Sequence, residues 1–409
     1  MRIIFTLLLL SLQTALLAQT NTEVYLLDVN MVDRKTELVD PRNISNSEGY
    51  DNQPSFYDGQ TLLFSSTRNG QTDIARYDIK RDSLSWITDT PQGSEYSPLK
   101  IPGKNAVSAI RLDTSGLQRL YEYDIWDGTS SKLLKDLEVG YHVWYNSDIV
   151  VSSVLAEGQM DLVVSNLRDG TNRTVQRNVG RSLHRIPKAA VPLPNSSEDE
   201  KEQQSDLISF ISKENEPWEI RSLDPITGDV QKITDMYEHT DDMAWLSHNK
   251  IIAADDRVLM QIQPDKQRGW ERFLRLEKKE ISNISRIAVS PNGKYMALVY
   301  EQSPEAIVQN QIEAYNDRDI EAFLNSYTQD VQVFDYPNTL RYKGKQKLRE
   351  QYTRFFENAP DLHCEVKNRM VIENKIIDEH YITANGRNFT AAAIYEIENG
   401  KIAKVTFLL

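Results

Sequence analysis

Between Glu23 and Tyr300 short apolar runs alternate with turn residues, and one order of runs keeps returning. In the clearest copy Phe56 and Tyr57 lead into an Asp58–Gly59 turn. An apolar run, Thr61–Ser66, comes next, and the alternating segments Asp73–Asp78 and Ser83–Thr88 complete the unit. Successive side chains of a strand point to opposite faces, so segments of this kind predict β-strands joined by hairpins. Later copies centre on Leu120–Asp124, Met160–Ser165, Trp218–Asp224 and Arg257–Ile262. They recur roughly every 40 to 60 residues, the length of a four-stranded propeller blade.

Five units are full or nearly full and a sixth is split between the two ends of the stretch. Glu23–Asp28 with Lys35–Val39 reads as an outer hairpin without inner strands, and Ile287–Tyr300 as inner strands without an outer hairpin. Joining them closes a ring of six blades and removes a sheet edge. The six tryptophans, Trp86, Trp126, Trp144, Trp218, Trp245 and Trp270, all fall here and are expected to lie buried between blades. A two-sheet sandwich is the competing arrangement. The polar, acidic stretch 192–205 reads as a loop within the fourth blade.

From Ser303 the period changes. Ile307, Gln311, Ala314 and Tyr315 share one helical face, Ile320, Phe323, Leu324 and Tyr327 a second, and Leu348, Tyr352, Phe355 and Phe356 a third. Asp319 is placed to cap the second helix. The segment Val331–Asp335 is a strand, with Asp335 aligned with Val331 and Val333. Four more strands follow, His363–Ile372, Lys375–Ala384, Asn388–Ile397 and Lys401–Leu409, divided by Asn- and Gly-containing turns. Helices ahead of a curled antiparallel sheet predict an α+β cone. The expected organisation is residues 1–18, 19–302 and 303–409, and the fold class an all-β six-bladed propeller followed by an α+β cone.

Composition changes this picture in three ways. A chain of 409 residues with 26% charged and 40% hydrophobic residues is long enough for two cores. A formal net charge of −13 argues against nucleic acid and anionic lipid as partners. Residues 1–18 combine a positive start, an apolar core and small residues up to Ala18, the pattern of a cleaved signal peptide. The expected location is therefore the periplasm or the exterior, with no membrane span after cleavage. Cys364 is the one cysteine, so no internal disulfide forms, and it reads as a buried thiol.

The Asp58–Gly59 turn, the Phe64–Ser66 strand end, the Asp73–Asp78 hairpin and the Ser290–Gly293 turn resemble the repeat of TolB-type, WD40-like (PD40) β-propellers. That resemblance implies a docking surface for a protein partner. Tyr315–Leu324, Asp330–Asp335, Gly344 and Glu398–Ile402 resemble the NTF2-like superfamily, in its SnoaL and ketosteroid-isomerase branch. It implies that Asp335 stands at the position of a general base. Gln311 stands where that family has a tyrosine donor, and Ala393 near where it has a protonated aspartate. Without those donors an enolate lacks its main stabilisation.

Alternation places His380 with Ile376, Asp378 and Ile382, and Tyr395 with Ala391, Ala393 and Ile397, on the inner face of the sheet. Asp335 and His380 are the candidate acid–base pair, with Asp335 expected to be less acidic through burial. Gln311, Tyr315, Tyr352, Ile382, Ala393 and Tyr395 are the candidate ligand-binding residues. His239–Asp242 reads as a charged surface loop rather than a metal site. No phosphate-binding loop, dinucleotide fingerprint, zinc spacing or nucleophile elbow occurs, and no cofactor is implied. The expected function is an exported protein-binding propeller whose cone binds a small apolar ligand or a second copy of the chain. The alternative is an acid–base enzyme, of isomerase or dehydratase type, acting on a small apolar carbonyl compound in the C-terminal cone.

Overall fold

The computed structural model describes residues 21–32, 35–45, 49–188, 204–266, 268–276, 281–398 and 400–408. Residues 1–18, expected to be a signal peptide, and nearly all of the acidic 192–205 stretch lie outside these residues. Six four-stranded antiparallel sheets are present among the described residues, and a six-stranded sheet follows them. Five blades are simple meanders that begin at Asp51, Gly93, Val139, Val179 and Met243. The sandwich alternative is thereby excluded.

The sixth blade is assembled from both ends of the propeller. Its inner strands are Ile281–Val289 and Tyr295–Gln302, and its outer strands are Thr22–Val32 and Lys35–Asn43. Thr22–Val32 runs antiparallel to Tyr295–Gln302, with Val24 opposite Val299 and Leu26 opposite Ala297. Its alternation serves two cores at once. Val24 and Leu26 pack with Leu62, Phe64 and Ala75 of the first blade. Leu27 packs with Ala244, Ile252 and Leu259 of the fifth. Fully burying one such leucine is worth about 1.5–3 kcal/mol, so one strand holds two blade interfaces.

Several polar groups inside the seams are paired. Trp144 Nε1 donates to Ser108 Oγ at 2.8 Å, and Trp245 Nε1 donates to Ser209 Oγ at 2.9 Å. These two tryptophans are buried, but Trp126 is 79% exposed on a hairpin turn, contrary to the expectation for all six. The seam between the first two blades holds two carboxyls with no exposure, Asp73 and Glu95. Thr88 Oγ1 lies 3.1 Å from Asp73 and 3.5 Å from Glu95, and Tyr123 donates to Glu95 at 3.0 Å. Burial pushes the Glu95 carboxyl up to about 7, with Asp73 adding to the rise against Thr90, Tyr123 and Arg111.

Helix α1, Pro304–Asp317, starts at Ser303, whose hydroxyl accepts from the Ala306 N–H. Helix α2, Ile320–Asn325, starts at Asp319, whose carboxylate accepts from Glu321 and Ala322. Helix α3, Lys345–Asn358, follows Gly344, whose φ of 94° suits glycine. Tyr327 opens the Tyr327–Asp335 strand instead of ending α2. A short strand, Thr339–Lys343, was not expected from the pattern; it pairs with Tyr327–Asp335 and forms one edge of the sheet. Tyr327–Asp335 pairs in parallel with Lys401–Leu408, and the remaining neighbours are antiparallel. The helices cover one face, where Ile307, Phe323, Leu348, Ile376 and Val405 form the core.

Two outcomes follow. Leu26→Ala should destabilise the propeller by about 2–5 kcal/mol, because it opens a cavity at the closing strand; urea unfolding followed by tryptophan fluorescence measures it, and a loss below about 0.5 kcal/mol would remove the closure from its stabilising role. Glu95 tests the seam. An acid raised from its unfolded value near 4.3 to about 7 contributes stability that is present below the lower value and lost as pH rises through the higher one. The melting temperature of Glu95→Gln minus that of the wild type should therefore increase from pH 5 to pH 8, and a difference independent of pH contradicts the assignment.

Candidate functional site

The inner face of the cone is less apolar than its pattern. Asp378 is fully buried on Lys375–Ala384, and the neighbouring strand brings Arg369 opposite it. Arg369 donates through Nε and Nη2 to the two Asp378 oxygens, each at 2.7 Å. Burial alone would raise the Asp378 carboxyl, but Arg369, helped by His380, holds it below the usual aspartate range. Breaking a buried pair of this kind from one side costs about 3–5 kcal/mol, since the other charge is left uncompensated. His380, 3% exposed, has Nε2 at 3.5 Å from Asp378 Oδ2. That spacing allows charge attraction but is too long for a good hydrogen bond.

Two buried polar atoms here have no hydrogen-bond partner, Gln311 Oε1 and His380 Nε2. Gln311 faces inward from α1, one turn before Tyr315. Around them stands an aromatic cluster in which Tyr315 meets Phe323, Tyr352, Phe355 and Phe356 at centroid distances of 5.6 to 6.2 Å. Tyr352 also stacks at 4.5 Å on Phe323. Ile382, Ala393 and Tyr395 are buried on the same face, and Tyr395 lies 6.2 Å from the His380 ring. Cys364 is buried too, and burial pushes its thiol up to about 12, out of range for a nucleophile at neutral pH.

Asp335 departs from expectation. It continues the alternation of Val331 and Val333, but at the rim of the sheet, where its side chain is 40% exposed. Arg341, on the unexpected edge strand, donates to it through Nε at 2.6 Å. That hydrogen bond makes Asp335 more acidic, so the expected loss of acidity is reversed. No ion pair joins Asp335 to His380 among the described residues; the first is held by Arg341 and the second lies beside Asp378.

A concave site lies on the propeller axis. The innermost strand of every blade contributes to a cavity of about 860 Å³, with Phe56, Leu99, Trp144, Leu183, Trp245 and Val289 among its walls. Upstream on these strands, or at their entrance, each blade places one larger residue toward the axis: Tyr50, Tyr96, Tyr141, Arg181, Asp242 and Arg286. Arg286 Nη1 lies 3.1 Å from Asp242, and its Nη2 donates to the Tyr141 hydroxyl at 3.3 Å. Arg181 lies 3.7 Å from Asp242, and the Tyr50 and Tyr96 rings meet edge to face at 5.9 Å. Burial raises the pKa of Tyr50, with Arg286 and Arg181 opposing the rise and Tyr141 and Tyr96 adding to it. The axial space is a funnel with a floor.

Asp242 was read from the sequence as part of a surface loop, but its side chain is only 13% exposed and sits in this floor. His239 pairs with Glu216, and Asp241 with Lys213. The floor and the funnel cations Lys100 and Arg185 were not singled out in the sequence. The one signal was the return of Tyr50, Tyr96 and Tyr141 at blade spacing. The chain leaves the propeller at Gln302, which pairs with Ile281 at the end of the sixth blade away from the mouth.

Comparison with known proteins fits these two halves. Residues 308–405 match the family model of the SnoaL-like domain. A TolB-type protein from Agrobacterium tumefaciens is similar over 70% of this chain and 99% of its own, with 15% identity and a TM-score of 0.50. TolB from Acinetobacter baumannii matches over 69% of this chain and 64% of its own, at 12% identity and a TM-score of 0.42. A cystatin-fold protein from Novosphingobium aromaticivorans covers 26% of this chain and 99% of its own, at 22% identity and a TM-score of 0.26. No curated protein matches the chain. No helix among the described residues is long and apolar enough to cross a membrane. The chain joins a six-bladed propeller of TolB-like fold to an NTF2-like domain of the SnoaL-like kind.

Proposed function

We propose that this chain is an exported docking protein whose propeller funnel receives a segment of a protein partner. The observation that carries this reading is the funnel itself. Six strands converge on one apolar-walled space of about 860 Å³, open at one end and floored by interlocked side chains at the other. Concave apolar sites with a few fixed polar groups are the usual form of a binding site. The attachment of the cone at the opposite end leaves the mouth clear of the linker. The signal-like residues 1–18 support export.

A second reading concerns the cone, which we assign to binding a small, largely apolar compound with a hydroxyl or amine group. Gln311 Oε1 favours it, as a buried polar atom that accepts no hydrogen bond in a core of aromatic rings, while His380 Nε2 has the Asp378 carboxylate at 3.5 Å. Leaving such an atom unpaired costs about 1–3 kcal/mol, and a ligand donor at Gln311 would recover it. Acid–base catalysis by Asp335 is less well supported, because a carboxylate paired with Arg341 at an exposed rim is a weak base.

A photo-crosslinking residue at Asp58, on the mouth, should give discrete protein adducts in the native cell envelope, and the same residue at Trp126, on an outer hairpin, should not. Equal labelling from both positions counts against docking at the funnel. For the cone, native mass spectrometry of the full chain should find a small-molecule adduct that Gln311→Leu abolishes. In the ligand-free protein the same change should raise stability by about 1–3 kcal/mol. A Gln311→Leu chain that keeps the adduct removes Gln311 from the site.

A further inference from the structure

Three Asn–Gly pairs stand at turns of the described residues, Asn69–Gly70, Asn292–Gly293 and Asn385–Gly386, and each is held differently. Asn399, of a fourth pair, lies outside the described residues. Glycine leaves the nitrogen after an asparagine without a flanking Cβ, so the asparagine side chain can reach it. At Asn292 both groups are locked. Its Oδ1 accepts from Ser290 Oγ at 2.8 Å and from the Lys294 N–H at 3.1 Å, and its Nδ2 donates to the Gly59 carbonyl at 3.3 Å. The Gly293 N–H donates to the Ser290 carbonyl at 2.9 Å. The Asn385–Gly386 turn is pinned through its backbone, whose two N–H groups donate to the Asp361 carboxylate at 2.6 and 2.7 Å. Asn69–Gly70 has neither restraint. Both residues are exposed, no hydrogen bond holds the Asn69 side chain or the Gly70 N–H among the described residues, and a Cβ added at Gly70 would meet no atom within 4 Å. Their φ values of 53° and 78° are the left-handed pair that a two-residue hairpin loop needs.

We infer that Asn69 is a modification site, at which the folded chain converts its own asparagine to aspartate or isoaspartate and so loosens the join between the first two blades. The Gly70 nitrogen attacks Asn69 Cγ. The new N–Cγ bond forms as the Cγ–Nδ2 bond breaks, and ammonia leaves with the proton of the Gly70 amide. Water then opens the cyclic imide at one carbonyl to give aspartate, or at the other to give isoaspartate; no other reactant takes part. The attack requires the turn to leave its left-handed conformation, and a hairpin tip with few contacts opens locally at least cost. The other two turns must break hydrogen bonds first. Arg68 and Gln71 flank the loop in register and both reach the segment that joins the first blade to the second. Arg68 Nη2 donates to the Thr88 carbonyl at 3.2 Å, and Gln71 Nε2 donates to the Gly93 carbonyl. Isoaspartate adds one methylene to the backbone of this loop, which the fixed register cannot absorb unchanged. A carboxylate at position 69 also competes for Arg68, which lies 3.7 Å from Asp73 and 3.8 Å from Asp89. Residues 87–93 thereby lose both holds.

The test ages the full chain in mildly alkaline buffer and follows each asparagine by peptide mapping with mass spectrometry, with isoaspartyl methyltransferase labelling to reveal isoaspartate. In the folded chain Asn69 should convert about tenfold faster or more than Asn292 and Asn385. In urea, where the turns are lost, the three rates should converge, since all three asparagines precede glycine. Equal rates in the folded chain, or an Asn69 slower than either of the others, overturn the inference. A lead for Asn69 that persists unchanged in urea overturns it as well, because the fold is then not its cause. The aged, more acidic fraction, separated by anion exchange, should show faster backbone hydrogen exchange over residues 87–93 than fresh protein. Asn69→Gln, aged alike, should show no such gain. Exchange over 87–93 that is equal in aged and fresh wild type overturns the loosening of the join.

Discussion

The pairing of Thr22–Val32 with Tyr295–Gln302 is the constraint on which the rest of the propeller depends. An open stack of blades would leave a row of unpaired backbone groups at each end and two apolar blade faces in water. One strand from the start of the chain settles both. It completes the hydrogen-bond ladder of the sixth blade and presents Val24 and Leu26 to one neighbour and Leu27 to the other. Because no disulfide is available to hold the ring, closure rests on this burial, on the ladder and on hydrogen bonds such as that from Asn292 to the Gly59 carbonyl.

A closed ring then dictates the axis. Six inner strands converge, and whatever side chains they carry at one level must fit together. Near the strand starts those side chains are three tyrosines, two arginines and an aspartate, which interlock into a floor. Nearer the strand ends they are mostly apolar, and the space between them stays open. The same arrangement brings Arg181 and Arg286 together against Asp242 on the axis. A low-dielectric wall strengthens the field of each of them.

The cone solves a different problem. Its sheet must bury one face against three helices, and most of that face is aromatic or aliphatic. The exceptions are confined to one place. Arg369 neutralises Asp378 by a two-point hydrogen bond across adjacent strands, which makes a fully buried carboxylate tolerable. His380 and Gln311 lack comparable partners.

Much of the fold was legible in local pattern. Period-two alternation between Glu23 and Tyr300 marks strands, because burial acts on one face at a time, and the unfinished units at the two ends implied that they complete each other. The change of period at Ser303, the cap at Asp319 and the inner-face alignment of Asp378, His380 and Tyr395 were equally local. Depth and partnership were not. Asp335 alternates with buried valines, yet it reaches the rim and meets Arg341 from an edge strand that the pattern did not reveal. Arg369 reaches Asp378 through cross-strand register, and Asp242 joins Arg181 and Arg286 only when six distant strands share an axis. Alternation tells a residue which face it takes, since that depends on its own strand. How deep it lies and which charge it meets depend on the neighbouring strands, and those are chosen by the tertiary fold.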